Sequence, residues 1–402
     1  MTSFLIKALL ASFLFLPATL QAAQNEKPLD FELVQTAPAE TTLSEPGVRS
    51  AAEVWPEMID KAGKYIDVEQ FYVTAKDGEN IDWTFNALKR AGERGVHIRV
   101  LIEKKFEKNS ADSLPRLTAI PNLELRVLEF GKVKEDGIIH AKFIVVDGRE
   151  AYIGSQNLDW RSLKHIHELG LRVSEPAVVA GAAAIFDHDW NAQALIAAGK
   201  EVPPTRSAAP AVSIDGRATL VASPWAFSPE GVGDSERSLP ALIASAKEDL
   251  AIQVLNYAPL TRKGRFYPVL DNALREAATR GVKVRLLVSH WNLGKPGVDH
   301  LKSLSLVPNI EVRVITVPEA KEGFIPFART AHSKYMVVDG KTLWLGTSNW
   351  EGGYLDNSRN LEVVLREASV AAQAASIHKR LWESPYTAPL DVAKDYPAPK
   401  KG

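Results

Sequence analysis

At 402 residues, 46% of them apolar, the chain can fill the core of two domains or of one large duplicated one, so it reads as globular. A formal charge of −1 excludes a generally basic, nucleic-acid-coating surface; a polyanionic substrate would have to be held by a local basic site. The lack of any cysteine excludes disulfides, a thiol nucleophile and thiolate metal sites.

The chain opens MTSFLIKALLASFLFLPATLQAAQ, with Lys7 ahead of an apolar run from Ala8 to Leu20 and small residues at Ala22 and Ala23. That order predicts a secretory signal peptide over residues 1–23. As a membrane anchor the run would be shorter than the ~20 residues that a span needs, and Pro17 interrupts it. An exported chain without cysteine fits a bacterial periplasm, so the expected location is periplasmic or secreted.

Beyond the leader the sequence repeats itself. FELVQTAP (Phe31 to Pro38) is echoed by TLVASP (Thr219 to Pro224), and MIDKAGKYIDVEQFY by LIASAKEDLAIQVLNY. RGVHIRVLI matches RGVKVRLLV, and IPNLELRVLEF matches VPNIEVRVITV. A period of about 190 residues is too long for a solenoid and marks an internal duplication. The predicted halves are 24–200 and 215–390, joined by a Pro-, Ser- and Ala-containing linker over 201–214 and followed by a polar tail, 391–402. In each half, helical stretches such as Trp83 to Glu93 and Val269 to Thr279 stop near Gly95 or Gly281 and give way to β-branched runs. This pattern predicts an α/β fold: two halves with mixed, mostly parallel sheets packed about a pseudo-twofold axis.

The most specific repeat pairs IIHAKFIVVDGREAYIGSQN with TAHSKYMVVDGKTLWLGTSN. It aligns His140 with His332, Lys142 with Lys334, Asp147 with Asp339, Gly154 with Gly346, Ser155 with Thr347 and Asn157 with Asn349. Each copy predicts a strand, a tight Asp-Gly turn and a returning strand, a hairpin that brings His and Lys close to Asn. His and Lys stand two apart and so leave the same strand face. The Ser or Thr and the Asn after the glycine add short polar groups shaped for phosphate oxygens. Asp147 and Asp339 start the turns and are assigned, with Gly154 and Gly346, to scaffolding. Two facing half-sites would surround one tetrahedral anion. His165 and His167 lack a persuasive third ligand, so no metal site and no cofactor is assigned. Trp160, Trp350, Arg161 and His290-Trp291 are candidate substrate contacts, and Lys104, Lys105 and Lys108 could guide a polyanion.

These paired motifs resemble the HKD motifs of the phospholipase D superfamily, over nearly the whole mature chain. LGTSNW, GSQNLDWRSLKHIHELG and FIPFARTAHSKYMV look most like the branch that holds animal lysosomal 5′ exonucleases and poxvirus envelope phospholipase-like proteins. The resemblance implies metal-independent, two-step phosphodiester cleavage. One of His140 and His332 would form a phosphohistidine while the other protonates the leaving alkoxide and then activates water. Lys142, Lys334, Asn157 and Asn349 would hold the non-bridging oxygens, and Glu168 and Glu362 would orient the imidazoles. The expected substrate is single-stranded nucleic acid. The alternatives are phospholipid headgroups, released or exchanged by a phospholipase D or transphosphatidylase, and a non-catalytic phosphate-binding role. A monomer is expected, with transient membrane-surface contact as the only further partner.

Overall fold

Two sheets, one per half, organise the computed structural model, which describes residues 30–206 and 214–402. The expected signal peptide and residues 207–213 of the expected linker lie outside the described residues. The first sheet has seven strands, in spatial order Phe31–Thr36, Glu168–Val173, Glu150–Gly154, Phe143–Val146, Tyr65–Gln70, His97–Glu103 and Leu123–Leu128. The second repeats this order with Ala218–Ser223, Asn360–Leu365, Thr342–Gly346, Tyr335–Val338, Asp249–Val254, Lys283–Ser289 and Ile310–Ile315, and adds Gly233–Asp234 and Thr387–Pro389 at its edges.

Both sheets are mixed, and the parallel part is smaller than the sequence suggested. Besides the short edge pair Ala218–Ser223 with Gly233–Asp234, only the stretch through Tyr65–Gln70, His97–Glu103 and Leu123–Leu128, and its repeat, is parallel. There a helix separates successive strands, for example Ile81–Glu93, which ends just before Gly95 at φ +87°. The two motif strands are antiparallel because a tight Asp-Gly turn joins them, and their neighbours on either side also pair antiparallel.

Facing side chains of the two sheets share one buried cluster. Phe143, Ile153 and Leu171 of the first and Leu345, Leu361 and Val363 of the second meet there with Phe186 of helix Pro176–Ala197 and Ile377 of helix Ala368–Trp382. With each such side chain worth about 1.5–3 kcal/mol when fully buried, the motif strands of both halves are pressed against one another. Separate clusters fill the outer face of each sheet.

The Asp-Gly turns take positive φ at both central residues, 52° and 62° at Asp147-Gly148 and 50° and 65° at Asp339-Gly340, the combination that matches strand twist in a hairpin. Their carboxylates face away from the histidines. Asp147 accepts from the backbone N–H groups of Gly63, Lys64 and Tyr65, and Asp339 from those of Lys247, Glu248 and Asp249. Each therefore ties the motif turn to the start of the strand beside it.

Despite some burial, these backbone hydrogen bonds hold both carboxyls below their ordinary value. Their stabilisation is complete above the unfolded Asp pKa and is lost as pH falls through the lower folded one. Asp147→Ala and Asp339→Ala are each expected to cost about 2–3 kcal/mol in denaturant unfolding at pH 7. The deficit relative to wild type should shrink as the pH falls below about 3.9.

Candidate active site

The hairpins bring the parts of each motif to one end of their sheet. Gly154 N–H donates to Lys142 O at 3.2 Å, and Gly346 N–H to Lys334 O at 3.1 Å. Glycine is required at this crossing: a Cβ on Gly346 would come within 2.4 Å of Leu361 O, and one on Gly154 within 2.6 Å of Gly170 Cα.

The two half-sites are stitched together by backbone pairing across the seam. His140 N–H donates to Arg359 O and Arg359 N–H to Ile138 O, both at 2.9 Å. The mirror set is His167 N–H to Thr330 O at 2.9 Å and His332 N–H to His167 O at 2.8 Å. Arg359, fully buried, also enters the first half and pairs with Asp189 through Nε at 2.6 Å and Nη2 at 2.8 Å. Its repeat partner His167 is likewise buried, between Ser333 Oγ and Gln35 Nε2.

As a result His140 and His332 line the same cavity, of about 550 Å³. Its walls carry Phe71, Tyr72, Phe106, Trp291 and Phe327, with Asn157 and Arg161 as polar lining. The His140 ring meets Phe71 and Tyr354 edge-on, at centroid distances of 5.3 and 4.9 Å.

Each imidazole is oriented by the opposite half, and the two partners differ. His332 Nδ1 lies 2.9 and 3.0 Å from the carboxylate oxygens of Glu168. His140 Nδ1 lies 3.0 Å from Asn360 Oδ1. The Asn360 amide cannot turn round freely, because its Nδ2 donates to Tyr354 O and its Oδ1 accepts from Thr347 Oγ1. His140 must therefore carry its proton on Nδ1 and keep a lone pair on Nε2. Burial, then the charges of Lys142 and Lys334, push the His140 pKa well below its ordinary value. Burial also lowers His332, but there the Glu168 carboxylate works against it.

Lys142 and Lys334 are fully buried, each donating to the carbonyl of the histidine two residues earlier. Burial and the Lys334 charge pull Lys142 well down, and burial brings Lys334 to about 7. An anion bound beside them would offset that burial penalty and favour both in the ammonium form. Asn157 and Asn349 are buried with Oδ1 atoms that find no protein partner.

Several expected roles are corrected by the geometry. Glu362 reaches neither histidine; Ser235 Oγ and Ser348 Oγ donate to its two oxygens, and burial raises it to about 7. Asn360, not Glu362, stands as far beyond His332 as Glu168 stands beyond His140. Spacing pointed to it, whereas chemical likeness pointed two residues too far. Ser155 and Thr347 do not face the cavity as phosphate ligands. The Ser155 hydroxyl exchanges hydrogen bonds with the Leu169 backbone, and Thr347 Oγ1 holds Asn360. Trp350 is core, packed on Trp344, and Trp160 lies under Lys76 rather than in the cavity lining. Lys104 and Lys105 border a separate seam cavity with Glu103 and Arg262. Among the described residues no group of three His, Asp or Glu has metal-binding geometry. Asn360, Arg359 and the aromatic walls at Phe71, Tyr72, Phe106 and Phe327 were missed.

A family model described as cardiolipin synthase, PLD-like domain, matches residues 56–190 and again 239–382. Phospholipase D Z of Dictyostelium discoideum is 33% identical over 368 residues, covering 85% of this chain and 86% of that protein. The 5′-3′ exonuclease PLD3 of Homo sapiens is 29% identical over 390 residues, covering 87% of this chain and 78% of its own. Among solved structures, the phosphatidylserine synthase of Haemophilus influenzae Rd KW20 shares the fold with a TM-score of 0.61 at 12% identity, over 90% of this chain and 87% of that one.

Proposed function

The chain belongs to the phospholipase D superfamily, and on that footing we propose that it hydrolyses phosphodiester bonds in single-stranded nucleic acid through a phosphohistidine. The observation that carries the reading is the crossed and unequal pair of orienting groups, Asn360 on His140 and Glu168 on His332. A neutral amide favours an uncharged imidazole with a free lone pair, while a carboxylate favours imidazolium.

In the proposed first step the lone pair of His140 Nε2 forms a bond to phosphorus. The bond from phosphorus to the leaving oxygen breaks, and that oxygen takes the Nε2 proton of His332. In the second step the now neutral His332 removes a proton from water as its oxygen attacks phosphorus. The phosphorus–nitrogen bond breaks, and its electron pair returns to His140. Water is consumed and an alcohol and a phosphomonoester leave. Lys142 and Lys334 neutralise the non-bridging oxygens, and Asn157 and Asn349 donate to them. These buried charges stabilise the more highly charged transition state without reorganising.

The aromatic walls at Phe71, Phe106, Trp291 and Phe327 support a nucleic-acid substrate, since bases stack on such faces for about 1–3 kcal/mol each. Relatives bearing the name 5′-3′ exonuclease PLD3 add to this reading. The same apolar walls, with relatives named phospholipase D, favour phospholipid as the second reading.

Purified protein incubated separately with labelled single-stranded oligonucleotide and labelled phosphatidylcholine is expected to shorten the oligonucleotide and leave the lipid intact. Headgroup release with an intact oligonucleotide would give the second reading instead. His140→Ala with His332→Ala should abolish turnover, and activity surviving in that double variant would refute the histidine mechanism.

The assignment of roles has its own test in the pH dependence of kcat/KM. The reaction needs His140 neutral, so the rate rises through its pKa, and His332 protonated, so the rate falls through its pKa. Glu168→Gln removes the charge that raises His332; it should move the alkaline limb to lower pH and cost about 10²-fold in rate. Asn360→Asp puts a carboxylate on His140 and should move the acid limb to higher pH. Shifts on the opposite limbs would exchange the two roles.

A further inference from the structure

Two cations stand at or beside the cavity, Arg161 of the first half and Lys401 of the C-terminal tail, and they are held differently. In the first half Arg161 lines the cavity and is neutralised by Asp159, with Nη2 at 2.7 Å and Nε at 3.0 Å from Oδ2. Asp159 stands in the short strand Leu158–Asp159, which pairs with Val73–Thr74. The repeat of this arrangement is Glu351, in Trp350–Glu351 paired with Tyr257–Ala258. No arginine follows Glu351; the next residues are Gly352 and Gly353. The cations whose charge bears on it instead are Lys401 and Arg262.

The last residues are seated against the mouth. Phe327 N–H donates to Lys401 O at 2.5 Å, and Lys400 Nζ lies 3.7 Å from the centroid of Phe324. A Cβ on Gly402 would fall 2.5 Å from the Phe327 ring, so the glycine lies directly on it. Phe327 lines the cavity, is 52% exposed and sits at φ +58°. Lys401 Nζ is 5.7 Å from the centroid of Trp291, another lining residue. The ammonium makes no ion pair within 4 Å among the described residues, in contrast to Arg161. An exposed cation beside the cavity wall, with no close counterion, can take an anion without first giving one up.

Resting on the nucleic-acid reading above, we propose that Lys401 is a substrate-binding residue whose ammonium takes the phosphate next to the scissile one, beside Trp291. Such a contact is made by a polynucleotide and not by a substrate with a single phosphate. It makes the two sides of the mouth unequal, with the polymer held on the side of the second half.

The test compares oligothymidylate with dithymidine monophosphate, which has only the scissile phosphate, as substrates of the full chain. Lys401→Ala should raise KM for the oligonucleotide by about five- to tenfold at low salt, well beyond its effect on the dinucleotide. It should also reduce the slope of log KM against log salt by about 0.7, the value for one phosphate contact on a single strand. Lys401→Arg should restore most of both. Equal effects on the two substrates, or none on the oligonucleotide, would overturn the proposal while leaving the nucleic-acid reading in place. A wild-type protein that cleaves neither nucleic acid but does cleave phosphatidylcholine would overturn both.

Discussion

The structure depends on the backbone exchange across the seam, in which the segment holding each histidine pairs with the segment holding the other's orienting group. His140 is tied to Arg359 and His332 to His167, and the residues that follow the two tie points are Asn360 and Glu168. Neither half has a complete site alone. The shared apolar cluster presses the sheets together, but it is non-directional; the four backbone bonds and the buried Arg359–Asp189 pair set the register. With that register fixed, both imidazoles must open on one cavity.

Duplication supplies two similar half-sites, and chemistry that proceeds by attack and protonation needs them to differ. The difference lies less in the motif residues, which are nearly identical, than in the groups behind them. Asn360 in place of a carboxylate changes the charge that His140 can hold, and Thr347, whose repeat partner Ser155 bonds only backbone, has become the hydroxyl that fixes the amide. Two buried lysines would make a cationic imidazole costly beside them, and only His332 has an anion to offset that cost. On this account the order of the proton transfers is written in the second layer of the site.

Much of this was legible in the sequence, and the parts that were not have physical reasons. The duplication, the hairpins and their Asp-Gly turns follow from period and turn chemistry, which are local. The fold class was readable for the same reason, although the share of parallel strands was overestimated because the motif hairpins impose antiparallel neighbours. In the sequence Glu362, thirty residues beyond His332, draws the orienting role because it is a carboxylate, whereas Asn360, at the 28-residue spacing of Glu168 from His140, carries no charge to mark it. The phosphate role expected of Ser155 and Thr347 fails because a hydroxyl after a strand end turns to the nearest polar partner, the Leu169 backbone in one half and the Asn360 amide in the other. The cavity walls come from separate loops at Phe71, Phe106, Trp291 and Phe327, and no spacing rule links them. That each histidine is oriented by the other half is a tertiary fact with no local signature.

The central claim is that histidines from the two halves act on one phosphorus atom, with His140 as the attacking group. Its most direct test is a crystal structure of the protein with orthovanadate. The account predicts a single vanadium bonded to His140 Nε2, with its opposite apical oxygen accepting a hydrogen bond from His332. Separate anions on the two histidines, or a vanadium bonded to neither, would contradict it.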